Sequence, residues 1–329
     1  MIPGLPRRLF LSCVLPLVGT GLLAACAAGA PLPIDTATAL PAPLLSPVPT
    51  IFLPSITESP SLTPSPWPTP SRPAAPTITI LPSPTLEPTG IFPEGYPAGQ
   101  NPYRAVVSYP GVFNERMTRT IHFLLYLPAS FGKDPARRWP LLIYLHGSGE
   151  RGNNLALVRA ELLPQFLNSQ PDFPFIVLSP QCPANNATWS AQIDTLNALI
   201  DQILARYPVD PKRITLSGFS MGGFGAWEFA LRYPQRFAAI APVAGGYLFQ
   251  SNALPPNLCD LKDLPVWVFH GGQDTSVPPE QDISLVNALK ACQGHVHLTY
   301  YADANHMTTA ERAYSTPELF QWLAAQSRP

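Results

Sequence analysis

The chain lacks an excess of charge of either sign. Twenty Lys and Arg stand against 21 Asp and Glu, a formal net charge of −1, with no basic stripe or charge run. Nucleic acid and an anionic membrane surface are therefore not expected as partners held by charge. The chain also lacks the ~20 uninterrupted apolar residues of a spanning helix. Its longest candidate, Leu9 to Leu23, is shorter and is broken by Pro16 and Gly19. There is no internal repeat, and cysteine is scarce, with five in 329 residues. Function must come from a site.

What is present at the start reads as an export signal over residues 1–25. Arg7 and Arg8 supply a positive n-region, and Leu23-Ala24-Ala25-Cys26 a small-residue processing site. Those four residues resemble the bacterial lipoprotein lipobox, which implies cleavage before Cys26 and a lipid on its thiol. The membrane is then a partner through that anchor. Arg7-Arg8-Leu9-Phe10-Leu11 also resembles the core of a twin-arginine signal, although Pro6 and Ser12 depart from its flanks, so either export route stays open. A cell-surface lipoprotein is expected.

Residues 26–100 are dominated by Pro, Thr, Ser and Ala and hold close to half of the 43 prolines. Such a stretch cannot bury enough apolar surface to offset its ordering entropy, and it reads as a linker. At about 3.1 Å per residue when extended, it spans at most on the order of 200 Å. Residues 101–329 then form one α/β domain. With Cys13 in the signal and Cys26 as anchor, this domain keeps Cys182, Cys259 and Cys292. Cys259 pairing with Cys292 and three idle thiols are both open readings.

Within the domain, short apolar runs alternate with longer amphipathic ones. Ala105–Tyr109 and Ile121–Leu127 read as an antiparallel pair at one edge. Residues 140–145, 175–179, 213–217, 237–243, 266–269 and 296–301 are near-continuous apolar runs, the pattern of parallel strands covered on both faces. Ile193, Leu196, Leu199, Ile200 and Ile203 recur at helical spacing. So do Ile283, Val286 and Leu289 behind Pro278-Pro279, and Leu319, Trp322 and Leu323 behind Pro317. The expected fold is a mostly parallel, doubly wound α/β sheet, with its ligand crevice at the carboxyl ends of the strands.

Chemistry appears where strands stop. Gly218-Phe219-Ser220-Met221-Gly222 sits between a strand and a helix, where small flanking residues let the backbone turn sharply and present a serine hydroxyl. His146-Gly147-Ser148-Gly149 closes an earlier strand. Asp274 follows the strand ending at Phe269, and His306 lies five residues past the strand ending at Tyr301. A serine hydroxyl needs a base, and the base needs an acid to fix its tautomer. Ser220, His306 and Asp274 supply nucleophile, base and acid in the chain order this geometry uses. Asp303 is the fallback acid. The oxyanion donors are expected to be the N–H of Met221 and that of Ser148 or Gly149. His146 and His270 read as structural, His122 as an edge-strand residue, and His295 and His297 as surface or packing groups. No metal and no cofactor is expected.

Together these segments resemble the α/β-hydrolase superfamily, in particular the polyhydroxybutyrate depolymerase-like and feruloyl-esterase-like group. Leu145 through Gly152, Pro180-Gln181-Cys182-Pro183 with Trp189, Gly218 through Gly223 with Trp227, and Phe269 through Asp274 carry the likeness. It spans about Tyr103 to Trp322. It implies an α/β-hydrolase fold and the three triad roles above. That group often has a Trp soon after the triad histidine, where this chain has Met307-Thr308-Thr309.

The expected chemistry is acyl transfer from a carboxylic ester, free or polymer-attached, through an acyl-enzyme. About twenty residues separate Val243 from Val266, which leaves no room for a cap domain. Gln181, Trp189 and Tyr247 are candidates for lining the open cleft, a core role being as well supported for each. The rival expectations are a serine peptidase of the prolyl-oligopeptidase type and a catalytically inactive surface binding module.

Overall fold

The structure is a computed structural model, and it describes residues 98–329 except 112, 114, 185 and 186. The expected signal, Cys26 and the expected linker up to residue 97 lie outside the described residues, whereas Gly99 and Gln100, which the sequence assigns to that linker, already open the first strand. Eight strands form a single sheet: β1 (Gly99–Pro110), β2 (Arg116–Leu127), β3 (Trp139–Leu145), β4 (Ile176–Gln181), β5 (Val209–Phe219), β6 (Ala239–Val243), β7 (Val266–Gly271) and β8 (Val296–Tyr301). Their order is β1-β2-β4-β3-β5-β6-β7-β8. β2 runs antiparallel to β1 and to β4, and every other pairing is parallel.

All seven residues of β3 and all six of β4 are buried, because helices cover both faces. Leu141, Ile143 and Leu145 face one layer, which contains α3 (Ile193–Arg206), α4 (Met221–Arg232) and α5 (Glu280–Ala291). Leu142 and Tyr144 face the other, with α2 (Leu162–Leu167), α6 (His306–Tyr314) and α7 (Pro317–Ala325). The short α1 (Leu155–Arg159) precedes α2. The alternation along β3 is the two-residue period of a strand, so each strand feeds both cores.

Two expectations need correcting. β8 is not covered on both faces: it ends the sheet, and its side chains are half-buried or exposed. His122 is not on an edge strand either, since β2 lies between β1 and β4 and His122 pairs with Arg104 and Gln181. The expected edge pair is present with β1 outermost.

The chain winds outward from β3 to β4, then returns past β3 to β5. That reversal opens a crevice beside the carboxyl ends of β3 and β5, where Leu145 is in register with Gly218. Cys259 and Cys292 form a disulfide, and Cys182 is free and buried. The bridge ties the turn Leu258–Leu261 to the residue ending α5.

Candidate active site

Ser220 stands at the junction of β5 and α4 with φ 54° and ψ −116°. A side chain held there costs on the order of 1–3 kcal/mol unless its surroundings impose it. They do: Ser220 N–H donates to Val243 O at 2.9 Å, and α4 begins one residue later. A Cβ on Gly218 would strike the Gly222 carbonyl, and one on Gly222 the carbonyl of Leu145. Both glycines of the turn are therefore steric requirements of the close strand-to-helix approach. The N–H groups of the first turn of α4, Met221 among them, have no acceptor within the helix.

His306 opens α6, and the side chain of Asn305 caps that helix by accepting from Thr308 N–H at 3.0 Å. Its Nε2 lies 2.8 Å from Ser220 Oγ and its Nδ1 2.6 Å from Asp274 Oδ2. Phe219 packs against the imidazole with ring centroids 4.7 Å apart, so the residue preceding the serine also orients the histidine. The sequence places His306 past a strand; the short helix that carries it carries no apolar stripe to announce itself.

Asp274 has a fully buried side chain. Its Oδ1 accepts from Ser276 N–H and Val277 N–H, each at 2.9 Å. Burial pushes its pKa up, but the hydrogen bonds from His270, His306 and Val277 outweigh burial and hold it well below the usual carboxylate range. Asp303 plays no part here: it forms a two-pronged, exposed ion pair with Arg312 at 2.7 and 2.8 Å.

A cleft of about 460 Å³ opens beside Ser220. Ser148, Met221, Phe224, Glu228, Tyr247 and Phe249 are among the residues lining it. Ser220, Phe224 and Glu228 are four residues apart on one face of α4, which forms the cleft wall. Tyr247 and Trp189 both line it; Trp189 is nonetheless buried, its indole N–H donating to His146 O at 2.9 Å. Gln181 does not reach it. Its side chain is buried and donates to Glu150 O and Asn154 O at 2.7 and 3.0 Å, bracing the loop after β3 from within. Arg151 secures the same loop through Ser148 O at 2.9 Å. The short link after β6 is too small for a cap, yet it supplies a lip, with Phe249 exposed and packed edge-on against Phe224. Helical spacing from Ser220 would have found Phe224 and Glu228; nothing in the pattern announces Phe249.

A family model described as Phospholipase/Carboxylesterase matches residues 161–315. A crystal structure of a thermostable esterase superimposes with a TM-score of 0.52 at 29% identity, covering 68% of this chain and 63% of that one. The chain has the α/β-hydrolase fold. The bifunctional acetylxylan esterase/xylanase XynS20E of Neocallimastix patriciarum is 29% identical over 190 residues, 56% of this chain and 25% of that protein. An acylaminoacyl peptidase of Pyrococcus horikoshii shares the fold alone, with a TM-score of 0.50 at 12% identity, covering 70% of this chain and 42% of that one. The chain spans about two fifths of the length of the curated relatives it matches first, 39% in each of two. Among the described residues, no group of three or more His, Cys, Asp or Glu is disposed to hold a metal ion, and no helix is long and apolar enough to cross a membrane.

Proposed function

We propose that the protein is an exported, lipid-anchored serine carboxylesterase. The observation that carries this reading is the position of His306, bridging Ser220 Oγ and Asp274 Oδ2 at 2.8 and 2.6 Å beside an open cleft. Ser220 Oγ attacks the ester carbonyl carbon while its proton passes to His306 Nε2. The carbonyl oxygen becomes an oxyanion held by the N–H groups of Met221 and Ser148. Collapse breaks the bond to the alcohol, whose oxygen takes the proton back from His306. Water then gives a proton to His306 and attacks the acyl-enzyme carbonyl; the bond to Ser220 Oγ breaks, Oγ takes that proton back from His306, and the acid is released. Asp274 stays ionised throughout, as its depressed pKa requires.

Three features favour a substrate larger than a free small ester. Among the described residues, the link between β6 and β7 is too short to cap the cleft. Beyond Glu228 and Tyr247 the surface continues as a second depression toward Leu231 and Asn257, with Ser190, Glu228 and Tyr247 common to both. A linker of some 70 residues, in its extended state, would hold the domain far from the bilayer. An ester carried on an extracellular polymer fits all three. The Cys259–Cys292 bridge accords with an oxidising location.

The test is hydrolysis of p-nitrophenyl acetate and butyrate by the full chain and by Ser220→Ala, with a peptide p-nitroanilide alongside and a fluorophosphonate label as a second readout. Activity and labelling that both vanish in the variant are expected. Preference for the anilide would move the reading to a peptidase, and absence of labelling in the wild type would move it to a binding module.

A further inference from the structure

His270 ends β7 directly behind the triad acid, and its side chain is wholly buried. Its Nε2 lies 3.0 Å from Val277 O, an atom that can only accept, so this nitrogen carries a proton. Its Nδ1 lies 2.8 Å from Asp282 Oδ2. Asp282 is buried too; its Oδ1 accepts from the Trp227 indole at 2.9 Å and its Oδ2 from Gly245 N–H at 3.0 Å. Both Asp282 oxygens face donors, so they accept, and Nδ1 donates to Oδ2. Both nitrogens therefore hold protons. Burial alone would strip this charge; hydrogen bonds to Asp274 and Asp282 outweigh burial and raise His270 to about 10.

The same Nε2 is 3.5 Å from Asp274 Oδ2, the oxygen that His306 Nδ1 contacts at 2.6 Å. The two imidazoles thus face one carboxylate oxygen from opposite partners, no more than about 6 Å apart by those distances. We infer that His270 is a charged positioning residue: it ties Asp274 to Asp282 and keeps a premature proton off His306. The inference rests on the esterase reading of Ser220, His306 and Asp274.

The triad acid has a side effect. A buried carboxylate facing His306 alone favours the imidazolium there, and a protonated base cannot receive the Ser220 proton. A second cation on the same oxygen opposes that protonation while leaving Asp274 ionised to orient the ring. The charged groups facing His270 are Asp274, from the loop after β7, and Asp282, from α5; the loop before α5 adds the Val277 carbonyl, and the Trp227 indole of α4 donates to Asp282. His306 in turn faces Asp274, the Ser220 hydroxyl and the Phe219 ring. The buried row Asp282–His270–Asp274 carries one net negative charge, where the triad acid with an uncharged neighbour in place of His270 would leave two.

The test is the pH profile of kcat/KM for p-nitrophenyl acetate in the wild type and His270→Gln, which keeps a hydrogen-bonding side chain but no charge. The acid limb is expected to move to higher pH by about one unit in the variant, a loss of up to about tenfold near pH 6, with near-wild-type rates on the alkaline plateau. A folded, active variant whose acid limb does not move overturns the inference. The wild type carries an independent readout: ¹⁵N NMR of histidine-labelled protein at pH 8 should show both His270 ring nitrogens protonated, and a neutral tautomer overturns it even if the variant fails to fold. Should the wild type neither hydrolyse esters nor take a fluorophosphonate, the esterase reading fails by itself. The NMR titration of His306 in wild type and variant then decides the electrostatic claim.

Discussion

A His-Gly pair stands at the carboxyl end of both β3 and β7, His146-Gly147 just past the one and His270-Gly271 closing the other, and both imidazoles are wholly buried. Their neighbours differ. His146 Nδ1 meets the Gly147 carbonyl at 2.6 Å, while its Nε2 accepts from Cys182 N–H at 3.0 Å. One nitrogen gives and the other takes, which is the neutral ring, and burial pushes its pKa down to about 4. His270 meets only acceptors and carries a charge. The same dipeptide at a strand's carboxyl end thus builds a neutral brace on one side of the cleft and an ionic one on the other. The neutral side holds Trp189 and the loop of Ser148; the charged side holds Asp274. Burial sets the cost of a charge, and the partners decide whether it is met.

The largest effect should come from breaking the charged side. Asp274→Asn keeps the shape of the acid but presents an amide that no longer demands the productive tautomer of His306. A fall in kcat of about 10⁴-fold is expected with p-nitrophenyl acetate. Asp303→Asn, which breaks only the exposed pair with Arg312, should leave kcat unchanged. Loss in the second variant instead of the first would transfer the acid role to Asp303 and remove His270 from the argument.

The strand ends, the serine turn and the order of Ser220, Asp274 and His306 were legible because each depends on local chemistry: glycines where backbones touch, apolar runs where strands are covered. Asp282 was not. The apolar spacing Ile283, Val286, Leu289 suggests an ordinary stripe, whereas α5 buries Asp282, Leu285, Val286 and Leu289 and leaves Ile283 half-exposed. A carboxylate replaces an apolar residue at the first position of that stripe, and only tertiary contacts with Trp227, Gly245 and His270 reveal why. Gln181 shows the converse. A polar residue beside a cleft motif reads as a ligand contact, yet it is spent on two backbone carbonyls that a buried loop must satisfy.

The two strand ends also differ in how they are fastened, which a second measurement can sharpen. Cys259 and Cys292 enclose β7, Asp274 and Asp282 in one closed loop, with a sequence separation of 33. Near β3 the only thiol is Cys182, which burial pushes to about 12 and leaves inert. Replacing both bridged cysteines by serine should lower the free energy of unfolding in urea by roughly 3–4 kcal/mol, the loop-closure value for that length. Thiol blocking of Cys182 should proceed only on unfolding. A double variant as stable as the wild type would mean that the unfolded chain gains little freedom from opening this loop, and the charged end would owe its order to its ion pairs alone.

The two histidines should weaken opposite flanks of the pH dependence of stability. His146 is depressed in the folded protein. Below its ordinary value of 6.5 the unfolded chain takes a proton that native His146 refuses until about pH 4. Stability therefore falls as pH drops through that window, by on the order of 3 kcal/mol in all. His270 is raised. Its contribution is complete below 6.5 and is lost as pH climbs from there through about 10. Urea midpoints measured from pH 4 to pH 10 should show a flattened acid flank in His146→Gln and a flattened alkaline flank in His270→Gln. If both variants lost the same flank, the two imidazoles would share one protonation state, and the difference between the neutral and ionic ends of the sheet would disappear.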